Sequence, residues 1–426
     1  MTIDFSIEPD YQAKLDWAVA FVREWVEPLE VLHLEEPVFK RIIRDLQEQV
    51  KAQGLWATHL PPDLGGQGYG QVKLALLNEI EGRTLWAPLV FGNEAPDTGN
   101  SEILALAGTP EQKERWLYPL LDGKIKSAFS MTEPEHAGSD PTVMSTRAEL
   151  DGEEWVINGH KWFSSNGAIS EFLIVMAITE SDAAPHERAS MIIVPNSTAG
   201  VEVIDDVPTL YDPEPYGYSH PQVYYRNVRV PKGNLLGRRG GGFELAQMRL
   251  GPGRIHHCMR WLGQAQRALE MLSERAVQRE VGGEPLASKQ TIQNWIADSA
   301  AEIQAARLMT LHAAWVMDQK GQRAARTEIS MIKYFGAQVL HNVIDRALQA
   351  HGALGYSGHM PLEEMYRRAR AARIYDGADE VHRVAVARRL LRDVQAPSGI
   401  WPSAHIPTRR KAAEAKFAKY LELTTA

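Results

Sequence analysis

The sequence has little cysteine, no long apolar run and no block of like charge. Its single cysteine, Cys258, excludes an internal disulfide framework and any cysteine-rich metal or iron-sulfur site, and it is compatible with a reducing compartment. Since no apolar run approaches the roughly 20 residues that a membrane helix needs, we expect no membrane insertion. The formal net charge of -8 is spread along 426 residues, which argues against nucleic-acid binding.

The first residues also lack the features of a targeting signal. Met1 to Lys14 carries acidic residues and no apolar core segment, so we expect neither a secretory signal nor a transit peptide, and a cytoplasmic location. With 44% hydrophobic and 23% charged residues, the composition is typical of a globular protein with two or three domains.

The hydrophobic periodicity changes twice along the chain. Helical spacing predicts a first domain over residues 1–126, β-rich runs predict a second over 127–240, and long helical segments predict a third over 241–426. The predicted elements are helices at 38–50, 72–81, 101–106 and 111–121, strands at 145–150, 154–157, 160–163, 172–178, 191–194, 201–204 and 222–230, and helices at 243–279, 287–320, 327–349, 362–373 and 380–393. We therefore predict an α+β fold with an N-terminal α-helical domain, a middle antiparallel β domain and a C-terminal four-helix bundle.

Two dipeptides in the β region are typical of hairpin turns. Asp151-Gly152 and Asn158-Gly159 each separate short strand-like runs, which predicts three strands joined by two tight turns.

Two segments could bind a flat, anionic cofactor. Phe129 to Asp140 begins as a strand and continues into a loop of small, hydroxylated residues, which can present backbone N-H groups to a phosphate. Asn158 to Gly167 carries two aromatic residues followed by paired serines, which suits stacking against a heterocycle. Taken singly, each is equally explained as an ordinary strand end or an aromatic β core.

Together with three later motifs, these segments resemble the acyl-CoA dehydrogenase family over essentially the whole chain. The later motifs are Gly251-Pro252-Gly253-Arg254, Gln349-Ala350-His351-Gly352 and Ile374-Tyr375-Asp376-Gly377. The branch closest in appearance is fused, in animals, to a kinase-like domain. The resemblance implies an FAD-dependent oxidoreductase of fatty acid metabolism that acts on acyl-CoA, forms a homodimer or homotetramer, and passes electrons to an electron-transfer flavoprotein.

The resemblance also implies roles for individual residues. The cofactor-binding residues would be Phe129, Met131, Thr132, Ser139, Phe163, Ser165, Arg279, Gln290, Gln349, Gly352, Ala353, Ala378 and Glu380. The substrate-binding residues would be Ser139, Asp97, Pro252, Gly253, Arg254, Tyr375 and Gly377, and no metal is expected. Arg279 matches an arginine that, in family members, reaches FAD on a neighbouring subunit.

Asp376 falls where the family keeps its catalytic carboxylate. Without the family, an Asp-Gly pair ahead of a helix indicates a turn. As the base, Asp376 would remove a proton from C2 while a hydride leaves C3 for flavin N5, and its backbone N-H would bind the thioester carbonyl. Since burial disfavours a charged carboxylate, we expect a raised pKa for Asp376. Many relatives carry glutamate here, which reaches one methylene farther.

Two polar residues have competing interpretations. Arg254 matches an arginine near the CoA moiety and is otherwise a helix surface cation. Asp97 corresponds to the floor of the acyl pocket, where a carboxylate would favour an oxygenated acyl chain, and is otherwise a helix cap. The adjacent His256 and His257 point different ways on a helix, so a metal site there is not favoured.

Two other functions compete with net oxidation. One is elimination of water or phosphate from a hydroxylated or phosphorylated acyl-CoA, which needs no electron acceptor. The other is a non-catalytic acyl-CoA-binding scaffold, which would bind no flavin.

Overall fold

The computed structural model describes residues 6–64, 66–210, 216 and 218–421. The chain forms two units, residues 1–383 and residues 384–426, of which the second consists of the end of one helix and a further helix. The outer limits predicted for the first and third domains, Met1 and Ala426, lie outside the described residues.

Helices dominate the described residues up to 124. Their bounds are α1 (Pro9–Phe21), α2 (Glu36–Ala52), α3 (Gly70–Glu81), α4 (Ala87–Val90), α5 (Asp97–Ala107), α6 (Pro110–Gln112) and α7 (Tyr118–Leu121), with π- or 3-10-helical turns at Val22–Val26, Glu27–Val31 and Lys113–Leu117. In α2 the buried residues Phe39, Ile43, Leu46 and Val50 recur every three or four positions, so one face of this helix packs into the core. The helical prediction for this part is confirmed.

A twisted sheet follows the helices. Its strands are β1 (Ser127–Ser130), β2 (Arg147–Asp151), β3 (Glu154–Lys161), β4 (Phe172–Ile178), β5 (Ala189–Pro195), β6 (Val201–Asp206), β7 (Pro221–Pro231) and β8 (Leu235–Leu236). They run in the order β6-β7-β3-β2-β4-β5-β8, mostly antiparallel, with β1 parallel to β4. Alternate residues of β4 enter opposite cores, Leu173 and Val175 on one face and Ile174 and Met176 on the other. Both faces of the sheet are therefore covered at β4.

One of the two predicted hairpin turns is wrong. Gly152 has φ 62° and joins β2 to β3 in a tight turn, as predicted. Asn158 and Gly159 instead lie inside β3, where the pairing with β7 shifts register between Ile157 and Gly159. A Cβ on Gly159 would lie 2.2 Å from Thr146 Oγ1, so glycine is needed here for close packing within a β-bulge.

Long helices form the third part of the chain. Their bounds are α8 (Gly242–Gln278), α9 (Gln290–Lys320), α10 (Arg326–His351), α11 (Leu362–Ala371) and α12 (Asp379–Arg392), with a small hairpin of β9 (Glu280–Val281) and β10 (Glu284–Pro285) between α8 and α9. One apolar core joins α8, α9, α10 and α11, which confirms the helical bundle. The predicted spans end within a few residues of the observed helices.

The second unit holds a helix that the periodicity did not predict, α13 (Ile406–Leu421). None of its residues is buried. Within the described ranges, no helix is both long and apolar enough to cross a membrane.

Candidate active site

Asp376 lies in the turn between α11 and α12 with an uncommon backbone conformation. Its φ is 54°, and that of the following Gly377 is 98°. A left-handed conformation costs a non-glycine residue about 1–2 kcal/mol, so surrounding contacts must maintain it.

The carbonyl oxygen of Asp376 is held by two side chains. Arg254 Nε donates to it at 2.9 Å from α8, and His382 Nε2 donates to it at 3.1 Å from α12. Within the described part of the chain, the N-H of Asp376 has no hydrogen-bond acceptor. This turn therefore presents one carboxylate and one available N-H.

His257 lies beside the carboxylate. Its Nε2 is 3.3 Å from Asp376 Oδ2, and burial lowers the pKa of His257 to about 3, so the imidazole is neutral at physiological pH. Its neighbour His256 faces Gln71 instead, with Nε2 3.2 Å from Oε1. Among the described residues, no group of three or more histidine, cysteine or acidic side chains is arranged to hold a metal ion.

The expected rise in the pKa of Asp376 is wrong. Burial alone would raise this pKa, but the electrostatic interaction with His257 and the positive charges of Arg254, Arg249 and Lys333 outweigh burial and hold it below its ordinary value. The expectation considered only the burial of the carboxylate. Three of these groups lie on α8 and the fourth lies on α10, so only the tertiary structure brings them close to Asp376.

Arg249 brings the flavin segment and Asp376 into one neighbourhood. Its guanidinium lies 4.2 Å from the Phe129 ring centroid, interacts electrostatically with Asp376, and donates from Nε to Asn100 Oδ1 at 3.1 Å. A Cβ on Gly99 would lie 2.8 Å from Arg249 Cγ, so the side chain crosses α5 at a glycine. Burial raises the pKa of nearby Glu102 to about 8 against the opposing charge of Arg249.

Asp97 faces a different space from Asp376. Its Oδ1 accepts hydrogen bonds from Ser127 N at 2.9 Å and Ser127 Oγ at 2.6 Å, and its Oδ2 lies 3.1 Å from Lys126 Nζ. It lines a cavity of about 370 Å³ that Asp376 does not line. Burial raises the pKa of Asp97 to about 7, against the bonds from Ser127. The carboxylate is thus paired, and its bonds go to Ser127 rather than to the first turn of α5.

The two predicted flavin segments are tied together. Thr132 Oγ1 donates to Trp162 O at 2.9 Å, and Trp162 N donates to Thr132 O at 3.1 Å. Beneath them, Lys161 Nζ donates to Met131 O at 2.8 Å and to Glu133 Oε1 at 2.9 Å. The side chains of Lys161 and Glu133 are 0% and 2% exposed, so this ion pair is fully desolvated.

An aromatic ring and a hydroxyl stand at the end of β3. Phe163 has φ 49° and is 41% exposed, with its ring centroid 5.0 Å from that of Trp162. Ser165 Oγ lies 2.8 Å from His220 Nδ1. The ring therefore offers a face that the protein core does not use.

Most of the remaining substrate candidates adjoin Asp376 in the chain or Arg254 on α8. Trp261 Nε1 donates to the Tyr375 hydroxyl at 2.9 Å, and a Cβ on Gly377 would lie 2.7 Å from His382 Nε2. Pro252 is buried inside α8, whereas a Cβ on Gly253 would meet no atom within 4 Å. Ala378 is half-buried, and Glu380 and Ser139 are exposed.

Matches to known proteins cover these elements almost completely. Family models for the acyl-CoA dehydrogenase N-terminal, middle and C-terminal domains match residues 8–124, 128–211 and 240–391. The chain belongs to the acyl-CoA dehydrogenase family. Its members are FAD-dependent oxidoreductases, which confirms the predicted fold, enzyme class and cofactor.

Relatives of the chain carry names from the same family. "Probable acyl-CoA dehydrogenase FadE2" of Mycobacterium tuberculosis is 47% identical over 350 residues, which are 82% of this chain and 85% of that protein. "Acyl-CoA dehydrogenase family member 11" of Homo sapiens is 42% identical over 83% of this chain, which spans only 45% of that protein's length. A solved butyryl-CoA dehydrogenase from Megasphaera elsdenii is 27% identical, with a TM-score of 0.78 over 92% of this chain and 100% of its own.

The groups around Phe163 fit the isoalloxazine of the family's FAD. A flat heterocycle can stack on the exposed face of Phe163 and can form hydrogen bonds with the Ser165 hydroxyl and, as a donor, with the Thr132 oxygen. The bond between Thr132 and Trp162 holds the two segments in place.

Five other cofactor candidates lie outside the Asp376 turn. They are exposed at the ends of helices and comprise Arg279, Gln290, Gln349, Gly352 and Ala353. At 1.5 Å per residue, Arg279 lies about 37 Å along α8 from Arg254, and Gln349 lies about 24 Å along α10 from Lys333. Arg279 and Gln349 are therefore not part of the Asp376 cluster of the same chain.

Several residues of this site were not predicted. Lys333 and His382 lay in no quoted motif, and Asn100 and Arg249 lay in segments typical of the family branch without being assigned a role. His257 had a signal in the sequence, because it follows Arg254 by three positions and so lies on the same face of α8.

Proposed function

We propose that this acyl-CoA dehydrogenase family member oxidises an acyl-CoA between C2 and C3, with Asp376 as the base. The carboxylate, His257 at 3.3 Å and the available N-H of Asp376 carry the proposal. The carboxylate takes the C2 proton while the N-H donates to the thioester carbonyl and stabilises the developing negative charge. When bound beside Phe163, FAD supplies the acceptor for the hydride that leaves C3.

The low pKa of Asp376 has a cost and a benefit for this chemistry. The carboxylate is fully ionised at neutral pH, but it is a weaker base than a carboxylate whose pKa is raised. The cations that lower the pKa also face the enolate-like charge that forms on the substrate. Part of the acceleration is therefore electrostatic.

The scattered cofactor candidates favour an oligomer. Arg279 lies too far along α8 to share one flavin with Asp376 of its own chain, so we infer that it contacts FAD bound to a second subunit. Tyr356 and Ile374 are 81% and 61% exposed, which suits burial against another copy. A homodimer or homotetramer is the proposed assembly, and an electron-transfer flavoprotein is the proposed acceptor.

Arg249 favours a second candidate, an acyl chain that carries oxygen. The half-buried guanidinium of Arg249 near Asp376 can bind a hydroxyl or phosphate on the acyl chain, and Glu102 and Asn100 add polar groups. A structural relative of 25% identity and TM-score 0.81 was solved with glutaryl-CoA. With such a substrate, elimination of water or phosphate would start from the same C2 proton removal and would reduce no external acceptor.

The decisive experiment follows the visible flavin absorbance. The purified protein is mixed with plain, hydroxylated and phosphorylated acyl-CoAs, and bleaching, dye reduction and phosphate release are recorded. Asp376→Asn should leave a folded, yellow protein whose turnover falls about a hundredfold or more. Asp182→Asn, an exposed loop substitution of the same chemistry, is the control and should behave as wild type.

Three outcomes separate the candidates. Bleaching with acceptor reduction supports oxidation, whereas product without acceptor reduction supports elimination. A colourless protein that FAD cannot reconstitute would favour a scaffold. Normal turnover by Asp376→Asn would remove this residue from the role of base.

A further inference from the structure

A buried lysine, Lys333, forms hydrogen bonds with the backbone of the Asp376 turn. Lys333 on α10 is 0% exposed and lies among the apolar residues of the bundle core. Its Nζ is 5.2 Å from the Trp261 ring centroid and 5.5 Å from that of Tyr375. An ammonium is costly to bury, so its contacts must compensate for the lost hydration.

Those contacts are backbone carbonyls at both ends of the turn. Lys333 Nζ donates to Ala372 O at 2.7 Å and to Gly377 O at 3.2 Å. The carbonyl oxygen of Asp376, which lies between them in the chain, accepts hydrogen bonds from Arg254 and His382. Three carbonyls within six residues are therefore held by donors from three helices.

This arrangement explains how Asp376 keeps its strained conformation. The left-handed φ values of Asp376 and Gly377 persist only if the peptide planes on either side cannot rotate. Bonds to the carbonyls of Asp376 and Gly377 restrain the peptide planes that follow these two residues. They also restrain the backbone from which the Asp376 carboxylate projects.

We propose that Lys333 is a positioning residue for the catalytic turn, holding the Ala372 and Gly377 carbonyls so that Asp376 faces the substrate. The proposal rests on the proposed function of Asp376 as the base. It assigns to a residue outside every predicted motif a role in the geometry of the reaction.

The charge of Lys333 provides a second, separable effect. Its ammonium is one of the groups that lower the pKa of Asp376. The titratable or charged groups around the turn lie on α8 (Arg249, Arg254, His257, Cys258 and Arg260), on α10 (Lys333), in the turn itself (Arg373 and Tyr375) and on α12 (Asp379 and His382). Loss of the Lys333 charge alone should raise the pKa of Asp376, because one cation fewer stabilises the carboxylate.

Two substitutions separate hydrogen bonding from charge. Lys333→Met removes both, whereas Lys333→Gln keeps a donor for one carbonyl and removes the charge. Lys320→Met, an exposed lysine at the end of α9, is the matched control. All three are compared as FAD-loaded protein.

Hydrogen exchange tests the turn without any substrate. The amides of Ile374 and Tyr375 donate to Ala371 O, and that of Asp379 donates to Arg373 O. In Lys333→Met these amides should exchange faster than in wild type or in the control, and Lys333→Gln should be intermediate.

Steady-state kinetics test the consequence for the reaction. We expect kcat to fall about tenfold to a hundredfold in Lys333→Met with KM little changed, because a displacement of about 1 Å has that effect. Lys333→Gln should recover part of the loss in kcat. In both variants the acidic limb of kcat/KM should move to higher pH.

The outcomes distinguish this inference from the proposed function. If no acyl-CoA bleaches wild type, or Asp376→Asn turns over normally, the proposed function fails and the exchange experiment alone decides the role of Lys333. Unchanged exchange in both Lys333 variants would overturn the positioning role. Failure of both to fold would make Lys333 a residue of the core and would also overturn it.

Discussion

The buried ion pair under the flavin segment should be more important for cofactor binding than any exposed charge. Lys161 and Glu133 are almost completely buried, and Lys161 also holds the Met131 carbonyl. In Lys161→Met the Glu133 carboxylate loses its cation but keeps bonds from Ser145 N at 2.5 Å and Thr146 N at 2.9 Å. Removing one partner of a buried pair costs about 3–5 kcal/mol, and the remaining bonds favour the lower value.

We expect this loss of free energy to destabilise the segment from Met131 to Ser145, because Lys161 and Glu133 bond to both of its ends. If about 3 kcal/mol is lost from the conformation that binds FAD, the Kd for FAD should rise about a hundredfold, since about 1.4 kcal/mol is a factor of ten. The assays are fluorescence titration of apoprotein with FAD and urea unfolding of the loaded protein.

A second substitution provides the control for Lys161. In Lys161→Met with Glu133→Gln the uncompensated charge is gone, so this double variant should bind FAD more tightly than Lys161→Met alone. Wild-type Kd and wild-type unfolding in Lys161→Met would refute the argument. Equal losses in the single and double variants would show that packing, rather than charge, is responsible.

Two further predictions concern pH and the flavin face. Because cations hold the pKa of Asp376 below its ordinary value of about 3.9, kcat/KM should show no acidic limb from this group between about pH 5 and about pH 8. A limb near pH 6 that disappears in Asp376→Asn would contradict this. Phe163→Ala should weaken FAD binding about tenfold without changing apoprotein stability, because the ring is 41% exposed, and Phe163→Trp should restore the affinity. Equal FAD affinities in Phe163→Ala and wild type would exclude stacking.

Local patterns predicted the elements because each pattern reflects burial on one segment. The seven residues of β4 are all buried, and the predicted strand agrees with the observed one, Phe172–Ile178. The spacing of apolar residues likewise placed α8, α9 and α10 within a few residues. The helix α13 was missed because none of its residues is buried.

Patterns failed where a distant segment decides the conformation. Asn158-Gly159 is a turn dipeptide by composition, but Thr146 packs against Gly159 and turns the site into a bulge. Asp97 resembled a helix cap, but its carboxylate bonds to Ser127 from the neighbouring strand.

By itself, the sequence determined the fold class, the enzyme family, the cofactor and the position of Asp376, because ordered motifs and periodicity are properties of short segments. Only the tertiary structure decided the surroundings of that carboxylate. His257 and Arg249 come from α8 and Lys333 from α10, more than 40 residues away. Their combined electrostatic effect reverses the effect of burial on the pKa of Asp376, and no local sequence pattern contains these long-range contacts.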